Sequence, residues 1–182
     1  MPDWPAGTIF TVGHSTLPID SFLGLLHACG IEALADIRSV PRSRYNPQFN
    51  ADALADALKN GGIEYLAMPA LGGLRHSRKG SPNTGWRHES FRGYADYMQT
   101  PAFTEAVEAL ARAGGRKRIA IMCAEAVPWR CHRSLVADAL CVRGIGVIDI
   151  LSPTDWRAHR LTEFAHVEGL SVTYPPRQRS LL

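Results

Sequence analysis

Residues 123–134 read CAEAVPWRCHRS, so two cysteines, a glutamate, a histidine and two arginines crowd into twelve residues directly after the apolar run RIAIM. Three chemistries fit those residue types. In the first, Cys123 is a thiolate nucleophile. A helix N-terminus, Arg130 or Arg133, and a nearby histidine can each depress a thiol pKa. Glu125 would then orient a histidine, His132 or His14, or carry protons. Six residues separate Cys123 from Arg130, one more than a phosphatase-type loop holds and two more than a sulfurtransferase loop. Neither of those loops is therefore claimed. In the second, Cys123, Cys131 or His132, and His14 supply zinc ligands. There is no C-x-x-C pair, and Cys131 and His132 diverge if both are helical, because adjacent positions on a helix do not share a face. No cofactor is expected, with zinc kept as the alternative. In the third, the cysteines are small buried hydrophobes and the histidine is a hydrogen-bonded core group. That description suits Cys29 and Cys141 better than it suits CAE and CHR at the end of an apolar run.

Comparable residues follow the other apolar runs. Gly13-His14-Ser15 follows the first, and Asp36, Arg38, Ser39, Arg42 and Arg44 follow the second. Ser15, Asp36, Arg38, Arg42, Arg44 and Arg133 form a candidate substrate-binding set, the arginines suited to an anion by their planar forks. The stretch RSVPRSRYNPQFN mixes arginine with Tyr45 and Phe49, and LGGLRHSRKGSPNTGWRHES mixes Arg75, Arg78, Lys79 and Arg87 with Trp86. Arginine interleaved with aromatics can track a phosphate backbone and stack bases. The length and glycines of the second stretch point to a lid or binding loop.

The elements that must position these residues alternate short β-rich runs with helical ones. TIFTV (8–12), EALADI (32–37), IEYLAM, RIAIMC (118–123) and VIDIL (147–151) read as strands. PIDSFLGLLHACG places Ile19, Phe22, Leu23, Leu26 and Cys29 on one helical face, with Gly30 as the stop. NADALADALKNGG reads as a helix capped by Asn50 and closed by Gly61. SFRGYADYMQ, TPAFTEAVEALARAGG and 131–143 complete the helices, and the tail TYPPRQRSLL is expected to run extended on the surface. Such alternation predicts an α/β fold: an open, mostly parallel, Rossmann-like sheet of about five strands with helices on both faces. Ligands bind beyond the carboxyl ends of such strands. A single domain is expected over 1–182, its core at about 8–151 and an extension at 152–182.

The bulk numbers set outer bounds. With 46% hydrophobic residues and 20% charged, the 182-residue chain has the balance of a globular protein. No apolar run is long enough to span a membrane, and the first residues lack a signal-peptide pattern, so a cytoplasmic protein is expected. Four cysteines do not form a secreted disulfide framework. Only three of the 20 basic residues are lysine, and the net charge is +3.

The motifs GHST, DIRSVPRSR, LGG, FRGYADYM and CAEAVPWRCHR, in that order, resemble the bacterial and archaeal family named domain of unknown function 488. The likeness runs from about residue 8 to at least 151. It implies an α/β domain and no reaction. Two functions are carried forward: an enzyme acting on a phosphate-bearing substrate, a nucleotide or nucleic acid, through the Cys/His/Glu cluster, and a non-catalytic nucleic-acid-binding module using the same arginines. Cys123 is expected to be the reactive thiol, and Cys131 to serve the core.

Overall fold

The structure, a computed structural model, describes residues 3–176. Five parallel strands run as β1 (Ile9–Gly13), β2 (Ala33–Asp36), β3 (Glu64–Ala67), β4 (Ile119–Cys123) and β5 (Val147–Ser152). A sixth, β6 (Asp155–Ala158), pairs antiparallel with β5. The order across the sheet is β3-β2-β4-β1-β5-β6. Every residue of β1, β2 and β4 is buried. That explains why these strands read as continuous apolar runs rather than alternating ones: a parallel sheet is covered on both faces.

The helices are α1 (Ile19–Ala28), α2 (Ala51–Asn60), α3 (Glu89–Tyr97), α4 (Pro101–Gly114) and α5 (Arg133–Cys141). Phe22, Leu25 and Leu26 of α1 and Leu54 and Leu58 of α2 pack on the strand face carrying Phe10, Val12, Leu34, Ala120 and Met122. The opposite face, with Ile9, Ala33, Ala35, Ile119 and Ile121, is covered by α3, α4 and α5. The split follows from chain direction. From β1 through β2 to β3 the chain travels toward one edge, and from β3 through β4 to β5 it travels back. Right-handed crossovers put these two journeys on opposite faces. Neighbours β2 and β4 therefore send their onward connections apart, which opens a crevice beyond their carboxyl ends.

The sequence expectations for the five parallel strands hold, and residues 152–176 add what they lacked. Besides β6, this segment forms a hairpin of β7 (His166–Glu168) and β8 (Ser171–Thr173). Tyr174 is not at the surface, as the extended tail implied. It is fully buried, and its hydroxyl donates to Asp138 Oδ2 at 2.8 Å. The rest of that predicted tail, 177–182, lies outside the described residues. Asn50 precedes α2 but does not cap it: its Oδ1 instead accepts from the Ser43 backbone N–H at 2.7 Å. Among the described residues no helix is long and apolar enough to cross a membrane.

Candidate functional site: a paired thiol at the crevice

Hydrogen bonding between β1 and β4 continues past their ends. The His14 N–H donates to the Cys123 carbonyl and the Ser15 N–H to the Ala124 carbonyl, both at 3.0 Å. This binds the GHS and CAE segments into one unit. Gly13 makes it possible, because a Cβ there would overlap the Glu125 carbonyl oxygen folded over it. Ser15 then adopts φ 48°, a left-handed conformation that a non-glycine residue rarely holds.

Over this unit lies Arg133, the first residue of α5, with 0% of its surface exposed. Its Nη1 donates to Cys123 Sγ at 2.7 Å and also to the Glu125 carbonyl, and its Nη2 donates to the Ala126 carbonyl at 2.8 Å. Its Nε is buried with no partner among the described residues. Cys131 completes the group, its Sγ accepting from the Arg133 backbone N–H at 3.5 Å and lying 3.5 Å from His132 Nδ1. Burial opposes ionisation of Cys123. A hydrogen bond from the Cys131 thiol and the charge and hydrogen bond of Arg133 outweigh it, bringing Cys123 down to about 7. Cys131 is driven the other way, chiefly because its proton is held by the Cys123 sulfur and further by burial.

The β2 end carries a second fixed ion pair. Arg38 Nε and Nη2 grip the two oxygens of Asp36 at 2.8 and 2.6 Å, and Nη2 also reaches the Phe49 carbonyl at 2.8 Å. His14 Nδ1 donates to the Ser15 carbonyl at 2.8 Å, which leaves Nε2 as an acceptor 3.3 Å from Arg38 Nη1. The imidazole stacks on Phe49 with centroids 4.1 Å apart. Burial, reinforced by the Arg38 charge, lowers His14 to about 4, so it is neutral at pH 7. His132 is likewise lowered to about 4 by burial, and its Nε2 donates to the Ile37 carbonyl at 3.1 Å. Gly73 lies against the His132 ring, where a Cβ would sit 2.8 Å from Cγ.

Between β2 and β4 these residues frame a cavity of 310 Å³. Cys123, Cys131, Glu125, Arg38, Arg130 and His132 line it, with Val40, Leu74 and Phe91 as apolar wall and Ser39 and Ser90 as polar contacts. A guanidinium has five N–H donors. Four of Arg38's are accounted for by Asp36, Phe49 and His14, so little of its donor capacity is left for a ligand.

The structure thus brings Cys123, Glu125, His132, Arg133, Asp36, Arg38 and His14 around one strand edge. Ser15 contributes backbone only. Arg42 and Arg44 are exposed on a loop outside the cavity lining. Arg133 and Arg38 do not present open forks to a ligand, since most of their donors are used internally. Cys131 and His132 do not diverge as expected. The helix begins at Arg133, Cys131 is extended (φ −134°, ψ 146°), and helical angular spacing does not apply to them. Among the described residues no group of three His, Cys, Asp or Glu side chains is placed to hold a metal ion. The expected lid is tied down: Asp96 accepts from the Arg78 N–H, the Ser81 hydroxyl and the Asn83 amide.

Sequence reasoning missed a second buried network. His159 donates from Nε2 to Asp138 Oδ1 at 2.9 Å and from Nδ1 to Asp149 Oδ2 at 3.2 Å, while Thr11 donates to Asp149 Oδ1 at 2.7 Å. Burial opposes its charge, but the two carboxylates raise His159 to about 9. Acidic residues interrupting apolar runs, Asp138 in α5 and Asp149 in β5, were the available signal.

Fold and site together define an α/β protein with two cysteines at the sheet's switch point, Cys123 held by the Arg133 guanidinium and Cys131 by its backbone N–H. The chain belongs to the family described as domain of unknown function DUF488, whose model matches residues 18–140. The match takes in both thiols, Arg133, the Asp36–Arg38 pair and Asp138; His14, Thr11, Asp149 and His159 fall outside it. No curated protein and no solved structure matches the chain.

Proposed function

We propose that the protein is a thiol-dependent enzyme in which Cys123 attacks an electrophilic centre of a small phosphate-bearing substrate of the nucleotide class. The observation that carries this is the Arg133 guanidinium on Cys123 Sγ at 2.7 Å, inside a cavity. A buried cation spent on a thiol is costly unless the thiolate is the point, because an unpaired buried charge is strongly unfavourable. Glu125, the one carboxylate among the lining residues, would exchange protons with the leaving group. Arg130, Ser39 and Ser90 would take the anion, with Arg38 alongside them, and Phe91, Leu74 and Val40 the apolar part. His14 and His132, both neutral, would position Arg38 and the β2 end. The reading takes the working compartment to be the cytoplasm, where the four free cysteines stay reduced.

One observation favours a different reading. Tyr45, 90% exposed, stands next to Arg44 on a loop that backbone bonds to Asn50 and Pro41 hold in place. An aromatic presented beside Arg42 and Arg44 suits single-stranded nucleic acid. Such a module needs no reactive thiol, and zinc needs a third ligand.

Iodoacetamide labelling of the intact protein with peptide mapping tests the enzyme reading. Cys123 should label first, with a midpoint near pH 7, and nucleoside monophosphates should slow the labelling. Cys123→Ser should abolish it without unfolding the chain. Labelling of Cys131 first, or of Cys123 only after denaturation, would sink the assignment.

A further inference from the structure

A nucleophilic Cys123 requires one thiol, yet the cavity contains two. Cys131 is brought back to Cys123 by the turn Pro128–Arg130, which its own N–H closes on the Pro128 carbonyl at 2.9 Å. Arg133 holds both sulfurs, Cys123 through its guanidinium and Cys131 through its backbone N–H. The other two thiols are elsewhere: Cys29 is buried in the layer beneath the opposite sheet face and Cys141 ends α5. Two cysteines that line one cavity and share one arginine are placed as the reduced form of a redox couple would be. The apolar wall of Val40, Leu74 and Phe91 beside them offers a seat for the organic part of an oxidant.

We propose that Cys123 and Cys131 form a dithiol that reduces organic hydroperoxides, with Cys123 as the attacking thiol and Cys131 as the resolving one. The Cys123 thiolate attacks the terminal oxygen of R–O–OH. An S–O bond forms, the O–O bond breaks, and the alkoxide leaves and takes a proton from water, giving Cys123–SOH and an alcohol. Arg130 and Arg38 line the space where that oxyanion forms. The Cys131 sulfur then attacks the Cys123 sulfur. An S–S bond forms, the S–O bond breaks, and the hydroxide leaves as water with the Cys131 proton. His132 is a positioning residue in this step. Its Nε2–H is committed to the Ile37 carbonyl, which fixes the ring with Nδ1 3.5 Å from Cys131 Sγ and so holds that sulfur in place beside Cys123. Two electrons pass from the dithiol to the hydroperoxide, and a small external dithiol restores both thiols by exchange.

The proposal rests on the thiolate reading of Cys123 and can fail separately from it. The intact protein is treated with one equivalent of tert-butyl hydroperoxide, thiols are counted with Ellman's reagent, and non-reduced peptides are mapped. The expected count falls from four free thiols to two, with a Cys123–Cys131 crosslinked peptide that dithiothreitol releases. In Cys131→Ser only one thiol should be lost, and dimedone should trap a sulfenic acid at Cys123. In Cys123→Ser the count should not change. If Cys123 alkylates rapidly at neutral pH but the hydroperoxide leaves four thiols, the nucleophile stands and the redox proposal falls. A disulfide between chains or to Cys29 or Cys141 also overturns it. If Cys123 neither alkylates nor oxidises, both readings fall together.

Discussion

Replacing Arg133 with methionine keeps the length of the side chain and removes its charge, which isolates what the guanidinium does to Cys123. A hydrogen bond from a charged donor contributes about 1.5–3 kcal/mol, and one pKa unit is about 1.4 kcal/mol. Loss of the 2.7 Å contact should therefore raise Cys123 by about 1–2 units from its value of about 7. The thiolate fraction at pH 7 then drops by roughly 5- to 50-fold. A more basic thiolate is also a better nucleophile, with a Brønsted slope of about 0.4–0.5, which restores about 3- to 8-fold. The net expectation is alkylation roughly 2- to 6-fold slower at neutral pH and faster than wild type above about pH 8. The two rate–pH curves must cross. The variant also strands the Glu125 and Ala126 carbonyls, at about 1–3 kcal/mol each, so circular dichroism melting must first show a folded chain. A folded Arg133→Met whose alkylation midpoint stays at about 7 would refute the reasoning, since the depressed thiol pKa would then have another source.

The remaining predictions concern the backbone and the buried histidines. Gly13→Ala sets a Cβ 2.7 Å from the Glu125 carbonyl carbon and 2.9 Å from the Ala126 carbonyl oxygen. Backbone atoms cannot step aside cheaply, so a loss of at least about 1–3 kcal/mol in denaturant unfolding is expected, together with a slower Cys123. His14 and His132 sit at about 4 against 6.5 when unfolded. Their contribution is complete above pH 6.5 and is lost as pH falls through 4, on the order of 3 kcal/mol each. His159 sits at about 9, so its contribution is complete below 6.5 and is lost as pH rises through 9, on the order of 3 kcal/mol. Unfolding free energy measured from pH 4 to 10 should peak near 6.5, and His159→Asn should flatten the alkaline limb while leaving the acid limb. An alkaline limb that survives the substitution would show that another group carries it.

The sheet was legible because buried parallel strands announce themselves. Runs such as IFTV and RIAIMC have no other economical explanation, and the helical faces of α1 and α4 recur at the right spacing. Residues 152–176 were not legible, since Trp156, Val172 and Tyr174 are isolated apolar residues in polar company: Trp156 is held by contact with Trp4 on one face of the sheet, and Val172 and Tyr174 are buried on the α5 side, Tyr174 against Asp138. The site was half legible. Cys123, Glu125 and His132 are local to one motif, and strand alternation brings Asp36 and Arg38 to the same edge. The geometry of CHR was misread because a helical period was extended two residues past the true start of α5. Pro128 and the extended Cys131 delay that start, and the delay is what turns Cys131 toward Cys123.

Arginine shows most sharply why composition misleads at such a site. The bias toward arginine suggested open forks waiting for an anion. Yet the two buried arginines at the site are the two that fold and tuning consume: Arg38 on Asp36 and the Phe49 carbonyl, Arg133 on Cys123 and two turn carbonyls. A planar five-donor group suits that work because it satisfies several fixed acceptors at once, whereas lysine, a point charge, would leave some unmet. The anions these buried cations meet are therefore already in the chain: Asp36 for Arg38 and the Cys123 sulfur for Arg133. A substrate of the proposed enzyme would meet the polarity that is left in the cavity, Arg130, Glu125, Ser39 and Ser90.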